Sequence, residues 1–506
     1  MSVTVWILGD QLLEHHPALL IAEQHIPRQN VVVLMIESQA QIQRKPYHAK
    51  KLVLLFSAMR HYAQTLRSAG YQVDYLMADN TPQAISRHLQ AYKPDTFFMM
   101  EASSVRGKKC QQRLSRDFGI QTELVPNTKF LLGQYDPMPD VEPGQYVRQE
   151  QFYRKMRQHF ELLIDDQGEP IGGQWNFDQK NRKALPKGLV TPGILRFDPS
   201  MISRNVMDEV EQVQSLTGKT VGFDLAVTHQ QAHRAAEDFL NQRLPNFGTY
   251  EDGMRQNETV LYHSKLAAYL NIGLLKPLDL VKAAEQRFDD GVAAINNVEG
   301  FIRQVIGWRE YMYWQYHRLM PGLAEGNYWG SDNKLPTFFW REGGTKLNCL
   351  GKVIDRVLAA GYAHHIERLM VLSNFCLLAG IHPQEVYEWF SSAFIDAYEW
   401  VMAPNVFGMG LYADGGKIAT KPYIASANYI NRMSDYCKDC AYDKNKRTGA
   451  EACPYNFLYW HFLLQHQDKL AQNSRMARML HNLRFLDDDE RSAVRDQSSD
   501  FLANLM

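Results

Sequence analysis

Cys349, followed far downstream by Cys437, Cys440 and Cys453, are the side chains whose type and spacing most directly offer chemistry. The run Asp435-Tyr-Cys437-Lys-Asp-Cys440 presents two thiolates in a Cys-x-x-Cys hairpin. Cys453 is followed at once by Pro454, a neighbour also found after cluster cysteines in bacterial ferredoxins. Such a set ties two distant segments together and can hold an iron–sulfur cluster. Zinc also accepts four thiolates, and unrelated buried cysteines are the plain alternative; spacing leaves all three open. Cys110 and Cys376 fit neither scheme and are expected to be buried apolar residues.

The elements that position these thiols belong to a chain of 506 residues, 45% hydrophobic and 22% charged, enough for two or three domains and a large core. Six cysteines in that length are too few for a disulfide scaffold, which leaves metal or redox chemistry for those that cluster. The opening Met1-Ser-Val-Thr-Val-Trp-Ile-Leu-Gly-Asp lacks a basic, apolar secretory leader, and no window holds ~18 uninterrupted apolar residues. The expectation is a cytoplasmic monomer without membrane contact. A net charge of −1 gives no strong overall field, so nucleic-acid binding requires a local basic patch. Lys438, Lys444, Lys446, Arg447, Arg475 and Arg478 are candidates, against a merely solvated face.

Residues 1–130 alternate apolar runs starting at Val3, Val31, Val73 and Thr96 with helical patterns over Ala49–Ala69, Pro82–Ala91 and Val105–Phe118. Continuous apolar strands separated by helices predict an α/β domain with a parallel, doubly wound sheet. Ligands of such sheets sit beyond the carboxyl ends of the strands, here at Gly9-Asp10-Gln11 and Glu37-Ser38. No Gly-x-Gly-x-x-Gly run follows either strand, which argues against an ordinary dinucleotide site. Residues 131–227 read as a Pro/Gly-punctuated linker with one short helix near Glu150–Leu163. From 228 to 506 the pattern is helical throughout.

Three helical segments carry a resemblance. They are Leu261-Tyr-His-Ser264-Lys265-Leu266-Ala-Ala-Tyr269, then Phe301-Ile-Arg-Gln304-Val-Ile-Gly-Trp308-Arg309-Glu310, and then Gly361-Tyr-Ala-His364-His365-Ile-Glu-Arg368 running on to Asp396-Ala-Tyr-Glu-Trp400-Val-Met-Ala-Pro-Asn405. In this order they resemble the flavin-binding helical domain of the photolyase and cryptochrome family. With the four cysteines and the opening Trp-x-Leu-Gly-Asp-Gln-Leu, the likeness narrows to the bacterial iron–sulfur photolyases, the prokaryotic (6-4) branch, and spans essentially the whole chain.

The resemblance implies FAD bound by Tyr250, His263, Ser264, Lys265, Leu266, Gln304, Arg309, Arg368, Asp396 and Asn405. Hydroxyl and backbone donors with a cation suit a pyrophosphate, although an N-cap and a surface lysine explain Ser264 and Lys265 equally in isolation. Arg309 is expected to pair with the cofactor or with a carboxylate. Asn405 stands where the family places the residue facing flavin N5; this chain sets it further from Asp396 than other branches do. The cysteines become ligands of a 4Fe-4S cluster. His365 takes the general-acid role in repair, with His364 beside it and Tyr423 contacting the lesion. The second histidine of animal enzymes would fall at Leu369, so a two-histidine mechanism does not transfer intact.

Trp389 is implied as the electron relay, with Trp340 and Trp400 as further tryptophans that serve a core equally well. Damaged DNA is the implied partner, met by a cationic rim of Lys417, Lys421 and Arg432 and a pocket near Met409. At the sheet edge the branch implies a 6,7-dimethyl-8-ribityllumazine antenna contacted by Asp10, Gln11 and Glu37. Two other functions fit parts of the pattern. One is a blue-light receptor of the same fold without repair. The other is an iron–sulfur nucleic-acid module like the primase large subunit, which leaves the α/β start and the Ser264 and Trp308 segments unexplained.

Overall fold

The computed structural model describes residues 2–505. Five parallel strands, β1 (Val3–Trp6), β2 (Val31–Ser38), β3 (Gln72–Ala78), β4 (Thr96–Met100) and β5 (Gln121–Val125), lie in the order β3-β2-β1-β4-β5. Helices α1 (Pro17–His25), α2 (Ala49–Ser68), α3 (Thr81–Tyr92) and α4 (Val105–Phe118) join them. Successive strand residues face opposite sides. Val3, Val5, Val33, Met35 and Phe98 enter the main core with α1 and α2, whereas Trp6, Leu34, Phe97 and Met99 form a second cluster with Ile85 of α3 and Leu114 of α4. The chain leaves β1 toward β2 and β3 and returns to β4 on β1's other side, so the switch point lies between the carboxyl ends of β1 and β4.

No strand follows Val125 among the described residues. The stretch expected as a loose linker is a docked strap: its helix Met201–Glu211 packs on α2, and its buried Arg157 donates to the carbonyls of Leu162 at 3.0 Å and Leu163 at 2.6 Å. The helical part opens at Thr228, whose hydroxyl caps the His229–Gln242 helix by accepting from Gln231 N–H. Sheet and helices are bolted together by Lys129. Its buried ammonium donates to the Asp10 carboxylate at 2.7 Å and to the Asn271 carbonyl at 2.8 Å. Three helices widen into π-turns, at Arg303–Arg309, Arg368–Ser373 and Pro404–Gly410. Among the described residues no helix is long and apolar enough to cross a membrane.

Candidate functional site

The four cysteines arrive from three elements. Cys349 opens the Asn348–Ala360 helix, Cys437 and Cys440 flank the Tyr436–Asp439 turn, and Cys453 stands at the start of the Pro454–Gln465 helix. All four line one apolar cavity with Tyr436, Tyr442 and Tyr455. Burial pushes the Cys349 thiol well up, and the neighbouring Cys453, Cys437 and Cys440 push it further, the situation a cationic metal centre relieves. Cys376 is buried as expected; Cys110 instead is exposed, on the polar face of α4.

Some of the residues expected around a flavin contact one another, and others have separate partners. Arg368 grips Asp396 with two parallel bonds of 3.0 Å and lies 4.2 Å over the Phe394 ring. Asn271 fixes the Asp396 carbonyl at 2.9 Å. Tyr362 lies beneath both Arg368, at 5.8 Å, and the Lys265 ammonium, at 5.9 Å. Burial lowers the Lys265 pKa; Asp224 opposes this, while Lys50, Arg196 and Arg243 reinforce it. Cations gathered around the Lys265 ammonium suit a negatively charged phosphate ligand. The Ser264 hydroxyl accepts from Leu266 N–H, and Tyr250 tilts against Tyr262 at 5.5 Å. Gln304 and Asn405 sit on π-turns, where their amides donate to Gly300 and Val401 carbonyls. Arg309 takes the carboxylate option: it pairs with buried Glu310 and stacks 4.3 Å over Phe130, at the seam between sheet and helices.

His263, His364 and His365 bring their ring nitrogens within 4.8 Å of one another, the only such set of three or more metal-ligating side chains among the described residues. His263 is buried, bonded to the carbonyls of Val260 and Glu251, and stacked on His364 at 4.3 Å. It therefore serves as a wall of the histidine group. His365 alone reaches outward, with 47% of its side chain exposed in a recess, and its Nε2 lies 3.9 Å from Asp252. Burial within the recess, with Arg182 and Arg368 nearby, pushes its pKa below 6.5. Tyr423 is half-buried and also feels Arg182. Asp252 and Arg182 were not singled out from the sequence; Arg182 comes from the strap, and neither stands in a recognisable motif.

At the switch point a cavity of about 780 Å³ opens between the sheet and the helical part, lined by Asp10, Ser38, Lys51 and Trp400 among others. Ser38 Oγ and Trp400 Nε1 are buried there without a hydrogen-bond partner, and burial lowers the Lys51 pKa to about 7. Of the three residues expected to touch a ligand here, only Asp10 lines the cavity. Gln11 is a buried strut donating to the Met100 and Glu101 carbonyls. Glu37 points to the other face of β2, where it grips Arg60 at 2.9 and 3.0 Å and accepts from Tyr75.

Trp389 is wholly buried, donates to the Phe339 carbonyl at 2.8 Å, and lies 5.6 Å from Phe394, the ring under Arg368. Trp400 is buried and Trp340 is 41% exposed. Among the candidate rim cations, Lys446 and Arg447 are engaged by Glu451 and Glu490.

A five-stranded parallel sheet followed by a helical body, with the Arg368–Asp396 pair and the partly exposed His365 within it, is the arrangement of a photolyase-type protein. The model for the deoxyribodipyrimidine photo-lyase-related protein family matches residues 5–225. A protein of Agrobacterium fabrum named (6-4) photolyase is 40% identical over 512 residues, covering 100% of both chains. An uncharacterized mimivirus protein, R855, is 41% identical over 107 residues, 21% of this chain and 80% of its own. Among solved structures, a bacterial class III photolyase from Agrobacterium tumefaciens superposes with TM-score 0.58 at 18% identity, covering 85% of this chain and 86% of that one. A Synechocystis cryptochrome superposes with TM-score 0.56 at 14% identity, covering 100% and 99%. The chain belongs to the photolyase and cryptochrome family, in the branch of the bacterial (6-4) photolyases.

Proposed function

We propose that this protein uses light to repair (6-4) pyrimidine-pyrimidone photoproducts in DNA. The observation that carries the reading is the open His365 recess together with the partly buried Arg368–Asp396 pair. The full-length likeness to a protein named (6-4) photolyase supports it. A bound FAD would have its phosphates met by Ser264 and Lys265 and its ring by Arg368 and Asp396, and it supplies the photo-driven electron. The chain's own part is to hold the lesion base out of the duplex, exclude water and deliver a proton. His365 presents that proton from Nε2 or Nδ1, Asp252 faces the ring and favours its charged form, and Tyr423 orients the lesion at the same opening. Trp389, one ring from Arg368, is suited to return electrons from the surface.

Four thiols around one apolar cavity, those of Cys349, Cys437 and Cys453 raised in pKa by burial, fit a metal centre. The Cys437-x-x-Cys440 pair and the proline directly after Cys453 support a 4Fe-4S cluster over a zinc site, which also accepts four thiolates. The switch-point cavity, with its unpartnered Ser38 hydroxyl and Trp400 indole N–H, fits an antenna chromophore of ribityllumazine kind, held through Asp10 and Lys51. The division 1–130, 131–227 and 228–506 agrees with a sheet that ends at Val125 and a helical body capped by Thr228.

His365→Ala tests the assignment of the proton donor. It is expected to keep flavin absorbance and iron while repair falls by at least about 100-fold, the usual worth of a general acid. Full repair by that variant removes His365 from the mechanism.

A further inference from the structure

Behind His365 lies a closed polar corner that the reading above leaves unused. The side chains of His364 and Glu367 are both 0% exposed. Glu367 Oε1 accepts from the Tyr436 hydroxyl at 2.6 Å and from Arg356, and stands 3.5 Å from His364 Nε2. The His364 backbone N–H also turns toward the Glu367 carboxylate, yet neither Glu367 Oε2 nor either ring nitrogen of His364 makes a hydrogen bond within ordinary distance and angle. A carboxylate kept for packing alone would have both oxygens engaged, because an unpaired buried polar atom costs about 1–3 kcal/mol.

The connections of this corner run in two directions. Arg356 lies on the Asn348–Ala360 helix that begins with Cys349, and it also donates to the carbonyls of Arg255 and Gln256 at 3.1 and 3.2 Å. Tyr436 directly precedes Cys437, and its carbonyl accepts from Asn348 at 2.8 Å. Segments bearing two of the cysteines thus close on Glu367. On the other side His364 stacks on His263, which lies 5.2 Å from the ring of His365.

We propose that Glu367 is a positioning residue for His365. Held by Tyr436 and Arg356 from the cysteine-bearing segments, it fixes the His364-His365 turn so that the His365 imidazole faces the recess. The inference rests on the reading of His365 as proton donor. It gives the cysteine centre a part in repair that requires no electron to leave it.

Glu367→Gln, Tyr436→Phe and His365→Ala, singly and with Glu367→Gln combined with His365→Ala, decide the matter. Flavin absorbance, iron content, the Kd for an oligonucleotide bearing a (6-4) photoproduct, and repair per absorbed photon are measured in each. Glu367→Gln is expected to leave the first three within about twofold while repair per photon falls about tenfold or more, as misplacement of a reacting group does. Tyr436→Phe removes one hydroxyl and keeps the packing, and lowers repair in the same direction; it decides alone if Glu367→Gln loses flavin or iron. In the His365→Ala background Glu367→Gln adds no further loss, because it acts through that ring. Full repair by Tyr436→Phe together with full repair by a folded Glu367→Gln overturns the inference, as does an undiminished second loss in the double variant. A fully active His365→Ala protein instead overturns the proton-donor reading, and the inference with it.

Discussion

The proton on His365 is held against its surroundings. Burial of its ring, and then the charges of Arg182 and Arg368, lower its pKa below the ordinary 6.5, while the Asp252 carboxylate lies 3.9 Å from Nε2. A depressed pKa means the free protein carries a neutral His365 at pH 7, and the charged donor becomes more populated as pH falls. Repair per absorbed photon is therefore expected to rise as pH is lowered from 8 to 5.5, measured with DNA saturating and flavin kept reduced. A flat profile, or one rising toward alkaline pH, contradicts the general-acid role. Motif residues such as Arg368, Asp396 and His365 were legible in the sequence because their neighbours carry the family pattern. Asp252, Glu367 and Tyr436 were not: Tyr436 meets Glu367 across 69 positions, and nothing in either local sequence announces the bond. Glu37 and Gln11 misled for a different reason. Their place after a strand suggested ligand contact, but strand alternation turns Glu37 to Arg60, and Gln11 folds back onto the β4 carbonyls.

Among the elements, the apolar strands and their helices were read closely, and α4 spans Val105–Phe118 as expected. The edge strand β5 escaped notice because its residues Gln121-Thr-Glu-Leu-Val are mostly exposed and polar. The π-turns escaped too, since a single extra residue per turn leaves no clear periodic trace in a helix apolar on most sides. They matter because Gln304, Arg309, Arg368 and Asn405 all stand on them. The turn before the histidines is equally specific. Gly361 ends the Asn348–Ala360 helix with φ +63°, and a Cβ there would lie 2.5 Å from Ile395 and 3.2 Å from His48. Gly361→Ala is expected to cost about 1–3 kcal/mol, through a left-handed backbone that disfavours alanine and a clash that packed neighbours cannot absorb. The denaturation midpoint checks this, and an unchanged midpoint refutes the strain assigned to that turn.

Taken whole, the molecule is a sheet domain and a helical body locked by Lys129. A cavity of about 780 Å³ lies on the seam, the Arg368–Asp396 pair and the His365 recess lie within the helices, and the cysteine cavity stands behind Glu367. Two-domain organisation was visible in the switch from strand–helix alternation to continuous helix. The docking of residues 131–227 was not, because strap contacts such as Tyr153 to Glu299 join residues 146 positions apart. The central claim is that this arrangement repairs one class of lesion with light. Its most direct test is anaerobic illumination of the reduced protein with oligonucleotides bearing either a (6-4) photoproduct or a cyclobutane dimer. The account predicts restoration of the two pyrimidines of the (6-4) oligonucleotide in light and none in the dark; failure to restore it while the flavin photoreduces normally would contradict the account and leave a light receptor of the same fold.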